Sequence, residues 1–85
     1  MRMNKKQREH IKYLLDSVLH ESDRWEARAE RREAEGNMEK VKHCEEKIDI
    51  CSAKLDIAAD ILRTLGYSIR YNLDTNDYTI LDDKY

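Results

Sequence analysis

The sequence predicts a mostly α (α+β) fold: an antiparallel two-helix hairpin followed by a C-terminal two-stranded β-hairpin packed on the open end of the helices. Three observations carry this. Two long stretches repeat apolar residues at alternating steps of three and four. A Gly-Asn pair separates them, and after a second glycine the apolar period drops to two.

The first helix spans about residues 4–35. Asn4 followed by Gln7 is the capping-box pattern, in which side-chain oxygens satisfy the orphan N–H groups of the first turn. Ile11, Leu15, Val18, Ser22, Trp25 and Ala29 then fall on one stripe, and Leu14 and Leu19 widen its first half. From Glu30 to Glu35 the residues are charged or small, all tolerable in a helix. Gly36 suits a left-handed helix end and Asn37 suits the next N-cap.

The second helix, about 37–65, carries the cleaner seam: Val41, Cys44, Ile48, Cys51, Leu55, Ala58, Leu62 and Leu65. Ile50, Ile57 and Ile61 add a second apolar strip, and Gly66 ends the helix. Folding about Gly36 sets Ile11 against Leu62, Val18 against Leu55, Trp25 against Ile48 and Ala29 against Cys44.

The β-hairpin covers about 67–81. Tyr67, Ile69, Tyr71 and Leu73 alternate with Ser68, Arg70 and Asn72, and Asp74-Thr75-Asn76-Asp77 is turn chemistry with Asn76 suited to positive φ. Pairing Leu73 with Tyr78 and Tyr71 with Ile80 gives an apolar face of these four residues. A lone hairpin is marginal in water, so this face rests on the helices. The expected seat is the region where both stripes widen, over Leu14, Leu15, Leu19, Ile50, Ile57 and Ile61. Tyr67 and Tyr85 are expected as exposed contact residues, and 82–85 as a frayed tail.

Composition narrows the function classes. Eighty-five residues, without proline or phenylalanine and 40% charged, suit a single domain over 1–85 with a thin core. The net charge of −2 argues neither for a polyanion partner nor for an acidic nucleic-acid mimic. No apolar run reaches the ~18 residues of a membrane span. The basic N-terminus has no apolar stretch behind it, unlike a secretory signal. Two cysteines in that context fit a reducing compartment, so the expected location is cytoplasmic.

His43, Cys44 and Cys51 suggest zinc, but cysteines seven apart on a helix are separated by ~10.5 Å along its axis. That is too far to share one metal or form an intramolecular disulfide. Both are read as small core hydrophobes, with an intersubunit metal or disulfide as the other reading. His10 and His20 have carboxylates nearby, but no nucleophile or glycine-rich loop accompanies them. Asp16 and His20 are read as a surface pair. No cofactor, metal or small-molecule substrate is expected, and the chain is read as non-enzymatic.

Arg24, Arg28 and Arg31, with Arg32 adjacent, form a basic strip on helix 1, to which Arg2, Lys5, Lys6 and Arg8 can add phosphate contacts. Glu26, Glu30, Glu33 and Glu35 interleave, and Arg31–Glu35 pairing gives the solvated reading of the same strip. Trp25 either plugs the gap above Ile48 or anchors a partner.

In size, charge density and helix-then-hairpin order the chain is similar to many short proteins of phages and mobile elements, including small inhibitors of bacterial defence nucleases. That resemblance implies a protein-binding inhibitor of a host protein or nucleic-acid machine, an anti-CRISPR-like role. The expectation is a non-enzymatic binding module whose partner is another protein or a second copy of itself. The alternative is a small nucleic-acid-binding regulator using the helix 1 strip.

Overall fold

A computed structural model of the chain describes residues 2–82. Its elements run α1 (Lys5–Ala34), α2 (Met38–Thr64), β1 (Tyr67–Asn72) and β2 (Asp77–Asp82). The helices pack against each other, and the antiparallel β-hairpin contacts both of them. The molecule measures 50 × 23 × 20 Å.

The helix ends follow from the residues that stand there. Asn4 Oδ1 accepts from the Gln7 N–H at 2.8 Å, and Gln7 Oε1 accepts from the Asn4 N–H at 3.0 Å, the capping box expected. At the other end Gly36 has φ 74°. Its N–H donates to the Glu33 carbonyl at 2.9 Å, and the Asn37 N–H donates to that of Arg32 at 2.9 Å. This pair of bonds is a Schellman motif, which needs a left-handed residue and so favours glycine. Asn37 then caps α2 by accepting from the Lys40 N–H. Gly66, at φ 91°, ends α2 with a bond to the Arg63 carbonyl.

The core follows the helix seams into the hairpin. Leu15, Leu62, Tyr67 and Ile80 form its buried cluster, with Ile11, Leu55, Ala58, Ile69 and Tyr78 packed around them. Val41, Cys44 and Cys51 continue the buried seam towards the Gly36 turn. Both cysteines are free thiols in that seam, as read from their position.

The hairpin departs from expectation in register. Tyr71 pairs with Tyr78 and Ile69 with Ile80, a shift of two residues. A two-residue shift leaves every side chain on its face, so period-two patterning cannot select between the registers. Turn chemistry does. Asn72 Oδ1 accepts from the Asp74 N–H at 3.0 Å, and Asn76 takes φ 53°. The turn therefore occupies 73–76, and Leu73 is expelled from the apolar face to 81% exposure. Tyr71, also expected as roofing, is 41% exposed.

Tyr67 is corrected in the opposite sense. It is 2% exposed, and its hydroxyl accepts from the Met3 N–H at 2.8 Å. It shares the inward parity of Ile69, so the period-two pattern puts it in the core rather than at a contact surface. Asp82 belongs to β2 and pairs with Arg8 at 2.8 Å rather than fraying. The rest of the expected tail, with Tyr85, lies outside the described residues.

Candidate protein-interaction face

The side of the helix pair on which the hairpin sits decides which surface is left for function. One polar stripe of α1 holds it. Arg8 meets Asp82, Lys12 meets Asp77 at 2.8 Å, and Asp16 accepts from the Tyr78 N–H at 2.8 Å. His20 Nε2 donates to the Asn76 carbonyl at 3.1 Å, and Asp23 accepts from the Asn76 amide at 2.8 Å. These residues step by four and then three, so they share one helix flank. The expected Asp16–His20 pair does not form: Asp16 takes Lys12 and the Tyr78 N–H, and His20 turns to the hairpin turn.

That clamp fixes the apolar face by helix geometry. At about 100° per residue, Leu19 falls on the clamp side of the α1 seam and Leu14 on the opposite side. Leu19 is half-buried, whereas Leu14 is exposed. On α2, Ile50, Ile57, Ile61 and Leu65 follow one another at steps of seven, four and four, a stripe beside the buried seam. The expectation that the hairpin covers Leu14, Ile50, Ile57 and Ile61 is therefore overturned. These residues and Leu65 are each 48–60% exposed. The hairpin is drawn to the polar flank of α1, because its turn and second strand carry the partners of Lys12, Asp16 and Asp23.

The result is an apolar strip along the helix pair on the side away from the hairpin. It runs into an open groove of about 310 Å³ lined by Arg2, Met3, Gln7, Ile11 and Leu65. A row of half-exposed aliphatic side chains along one side, interrupted only by Lys54, marks a contact surface rather than ordinary scattered exposure. The apolar pattern of the sequence identifies most of these side chains but not which flank the hairpin covers. The signal that separates the two flanks is the run Arg8, Lys12, Asp16, His20, Asp23 at helical spacing, opposite Asp77 and Asp82 after the turn.

The arginine strip lies nearer the Gly36 turn. Arg24, Trp25 and Arg28, with Glu21, line a shallow depression of about 210 Å³. Trp25 is half-buried, its ring edge-on to His43 at 5.8 Å, and the Arg28 guanidinium lies over it at 4.6 Å. Such cation–π stacking orients Arg28 along the helix surface. Arg31 is exposed. Arg32 separates from the strip: it is half-buried and pairs with Glu35 at 3.0 Å, the role expected of Arg31. Among the described residues Arg24, Arg28 and Arg31 join no ion pair.

The buried seam is chemically quiet. Burial pushes the Cys51 thiol above its ordinary range, and the Glu21 carboxylate adds to that shift. A thiol kept protonated is a poor nucleophile and a poor metal ligand. Among the described residues no helix is long and apolar enough to cross a membrane. No family model, curated protein or solved structure matches the chain.

Proposed function

We propose that the protein is a non-enzymatic binding module in the cytoplasm whose contact surface is the apolar strip of Leu14, Ile50, Ile57, Ile61 and Leu65. The single observation behind this reading is that five large aliphatic side chains stand about half exposed on one side of a chain with few buried ones. Leaving them in water forgoes burial free energy of roughly 25 cal/mol per Å², and a protein partner recovers it. Inhibition of a host nucleic-acid machine by occluding it, as anti-CRISPR-like proteins do, is the specific form this reading takes.

The test combines light scattering with pull-down from a bacterial lysate, using the full chain and the variant Ile57→Glu/Ile61→Glu. Because both side chains are exposed, the variant should keep its helical circular dichroism and melting temperature. Self-association or capture that the variant loses supports the reading. A strict monomer that captures nothing, or capture indifferent to the variant, overturns it.

A second reading uses Arg24, Arg28 and Arg31 to contact nucleic-acid phosphates. It draws on the absence of ion-pair partners for these arginines among the described residues. It requires binding that weakens steeply with salt and is lost on Arg24, Arg28 and Arg31→Glu.

A further inference from the structure

We propose that the occupant of the apolar strip is a second copy of this chain, packed face to face about a two-fold axis parallel to the helices. This rests on the reading of that strip as a contact surface and adds the identity of the partner. Charge on the two flanks of the strip selects this occupant. The outer flank of α1 beside the strip carries Lys6, His10, Arg24 and Arg28, whereas that of α2 carries Glu46 and Asp49. These six are exposed, whereas Lys47, at the same level of α2, is half-buried towards the seam; none of the seven joins an ion pair among the described residues.

A two-fold axis parallel to the helices lays α1 of each copy over α2 of the other without changing the level of any residue. The helices fold back about Gly36, so residues equally distant from it in sequence lie level. Arg28 is then level with position 44, beside Glu46 of the other copy, and Arg24 with position 48, beside Asp49. Glu21 comes within a turn of Lys54, which stands on the strip itself. Leu14 is level with position 58 and drops between Ile57 and Ile61. Near the Gly36 turn Arg31 and Lys42 approach as like charges, so close pairing runs from the level of Leu65 to that of Arg28 and stops short of the turn.

The competing face-to-face arrangement, with the axis across the helices, places α1 over α1. It brings Arg24 and Arg28 towards Lys6 and His10, basic on basic. Complementary charge thus selects one register, the usual role of an interface rim. The contact is isologous, as a closed dimer requires. Size permits it too. The stretch from the level of Leu65 to Arg28 takes up about 30 Å of a 50 × 23 × 20 Å molecule and offers on the order of 700 Å², comparable with the ~800 Å² per partner of a standard interface.

The experiment is sedimentation velocity on the full chain over a wide concentration range, at low and high salt. Wild type should sediment as a dimer. Arg24→Glu/Arg28→Glu should weaken dimerisation at least tenfold, and Glu46→Lys/Asp49→Lys should do the same. Mixing the two charge variants should restore a dimer, since in the mixed pair one rim is native and the other is reversed on both sides. Circular dichroism on each variant verifies the fold, and the mixture provides rescue whatever the cause of the single defects. A wild type that is monomeric throughout overturns the proposal. If that monomer still captures a foreign protein through Ile57 and Ile61, the second copy fails while the binding-module reading stands. A homodimer indifferent to both charge variants, or a mixture that does not pair, also overturns it.

Discussion

The carboxylate of Asp16, just before the middle of α1, accepts a 2.8 Å hydrogen bond from the backbone N–H of Tyr78 on β2. Its second oxygen holds Lys12 at 2.7 Å, so one side chain ties helix, hairpin and a charged neighbour together. Hydrogen bonds to charged groups contribute about 1.5–3 kcal/mol, and leaving a donor unsatisfied adds to the loss. Asp16→Ala should therefore destabilise the fold by about 2–3 kcal/mol and lower Tm by roughly 10 °C. Asp16→Asn, which keeps an acceptor, should lose less. A thermal melt followed by circular dichroism decides; an unchanged Tm for the alanine variant would mean that apolar contact alone docks the hairpin.

Lys12 bridges Asp16 and Asp77, and its ammonium is held above the ordinary lysine value of 10.5, first by the bond to Asp16 and then by that to Asp77. Asp77 is held below the ordinary 3.8, chiefly by Lys12 and secondarily by the Thr75 hydroxyl. The signs give two limbs. The depressed Asp77 contributes stability that is present above pH 3.8 and is lost as pH falls through its lower folded value. The raised Lys12 contributes stability that is present below pH 10.5 and is lost as pH rises through its higher folded value. Lys12→Met should remove its contribution to the alkaline limb and reduce the acid limb, leaving a flatter plot of urea midpoint against pH. If the plot kept its shape, the bridge would be irrelevant to stability.

Tyr67 separates packing from polarity at the centre of the core. Tyr67→Phe keeps the ring against Leu15, Leu62 and Ile80 but removes the hydroxyl that accepts from Met3. The expected cost is about 1 kcal/mol. Tyr67→Ala empties the site and should cost about 3–5 kcal/mol. Urea titration of the two variants measures both, and equal costs would contradict the assigned core position.

The legibility of this fold in its sequence was uneven for physical reasons. The helices were readable because Asn4, Gln7, Gly36, Asn37 and Gly66 act locally, each on backbone groups a few residues away. The seam from Val41 to Leu62 was readable because a period of 3.5 tolerates no other burial. The register of the hairpin was not, since a slip of two preserves the pattern and Asn72 and Asn76 settle it only in three dimensions. The seat of the hairpin was missed for a related reason. Apolar residues flank the α1 seam on both sides, at Leu14 and Leu19, and hydrophobicity alone does not choose between them. The choice came from charge, through Lys12, Asp16 and Asp77, which in sequence look like ordinary solvated residues. The contact face was thus legible as a set of residues but not as a surface.

Gly36 offers a test of backbone conformation without side-chain crowding. Nothing lies within 4 Å of where a Cβ would stand, yet its φ is +74°. Gly36→Ala should cost about 1–2 kcal/mol, the penalty of a left-handed conformation for an L-residue. Gly36→Asn should cost less, since asparagine visits that region more readily. Denaturant unfolding measures both; an alanine variant as stable as wild type would mean that the turn re-forms without the left-handed residue.

The two buried thiols report where the molecule opens first. Cys44 and Cys51 are both nearly inaccessible, at 4% and 2% exposure, so a disulfide reagent reaches either only after an opening. They differ in what braces them. The hairpin clamp grips α1 from Arg8 to Asp23, and Cys51 stands level with Glu21 inside that span, whereas Cys44 stands level with Arg28, beyond it. Segments with fewer buried apolar neighbours open at lower free energy than the global transition. In the single-thiol variants Cys51→Ala and Cys44→Ala, the remaining Cys44 should therefore label several-fold faster than the remaining Cys51. Burial, the main cause of the raised Cys51 pKa, is relieved on opening, and labelling repeated in urea corrects for the remaining difference in intrinsic reactivity. If the corrected rates coincide, the two-helix end and the clamped end unfold together, and the Gly36 end has no separate opening.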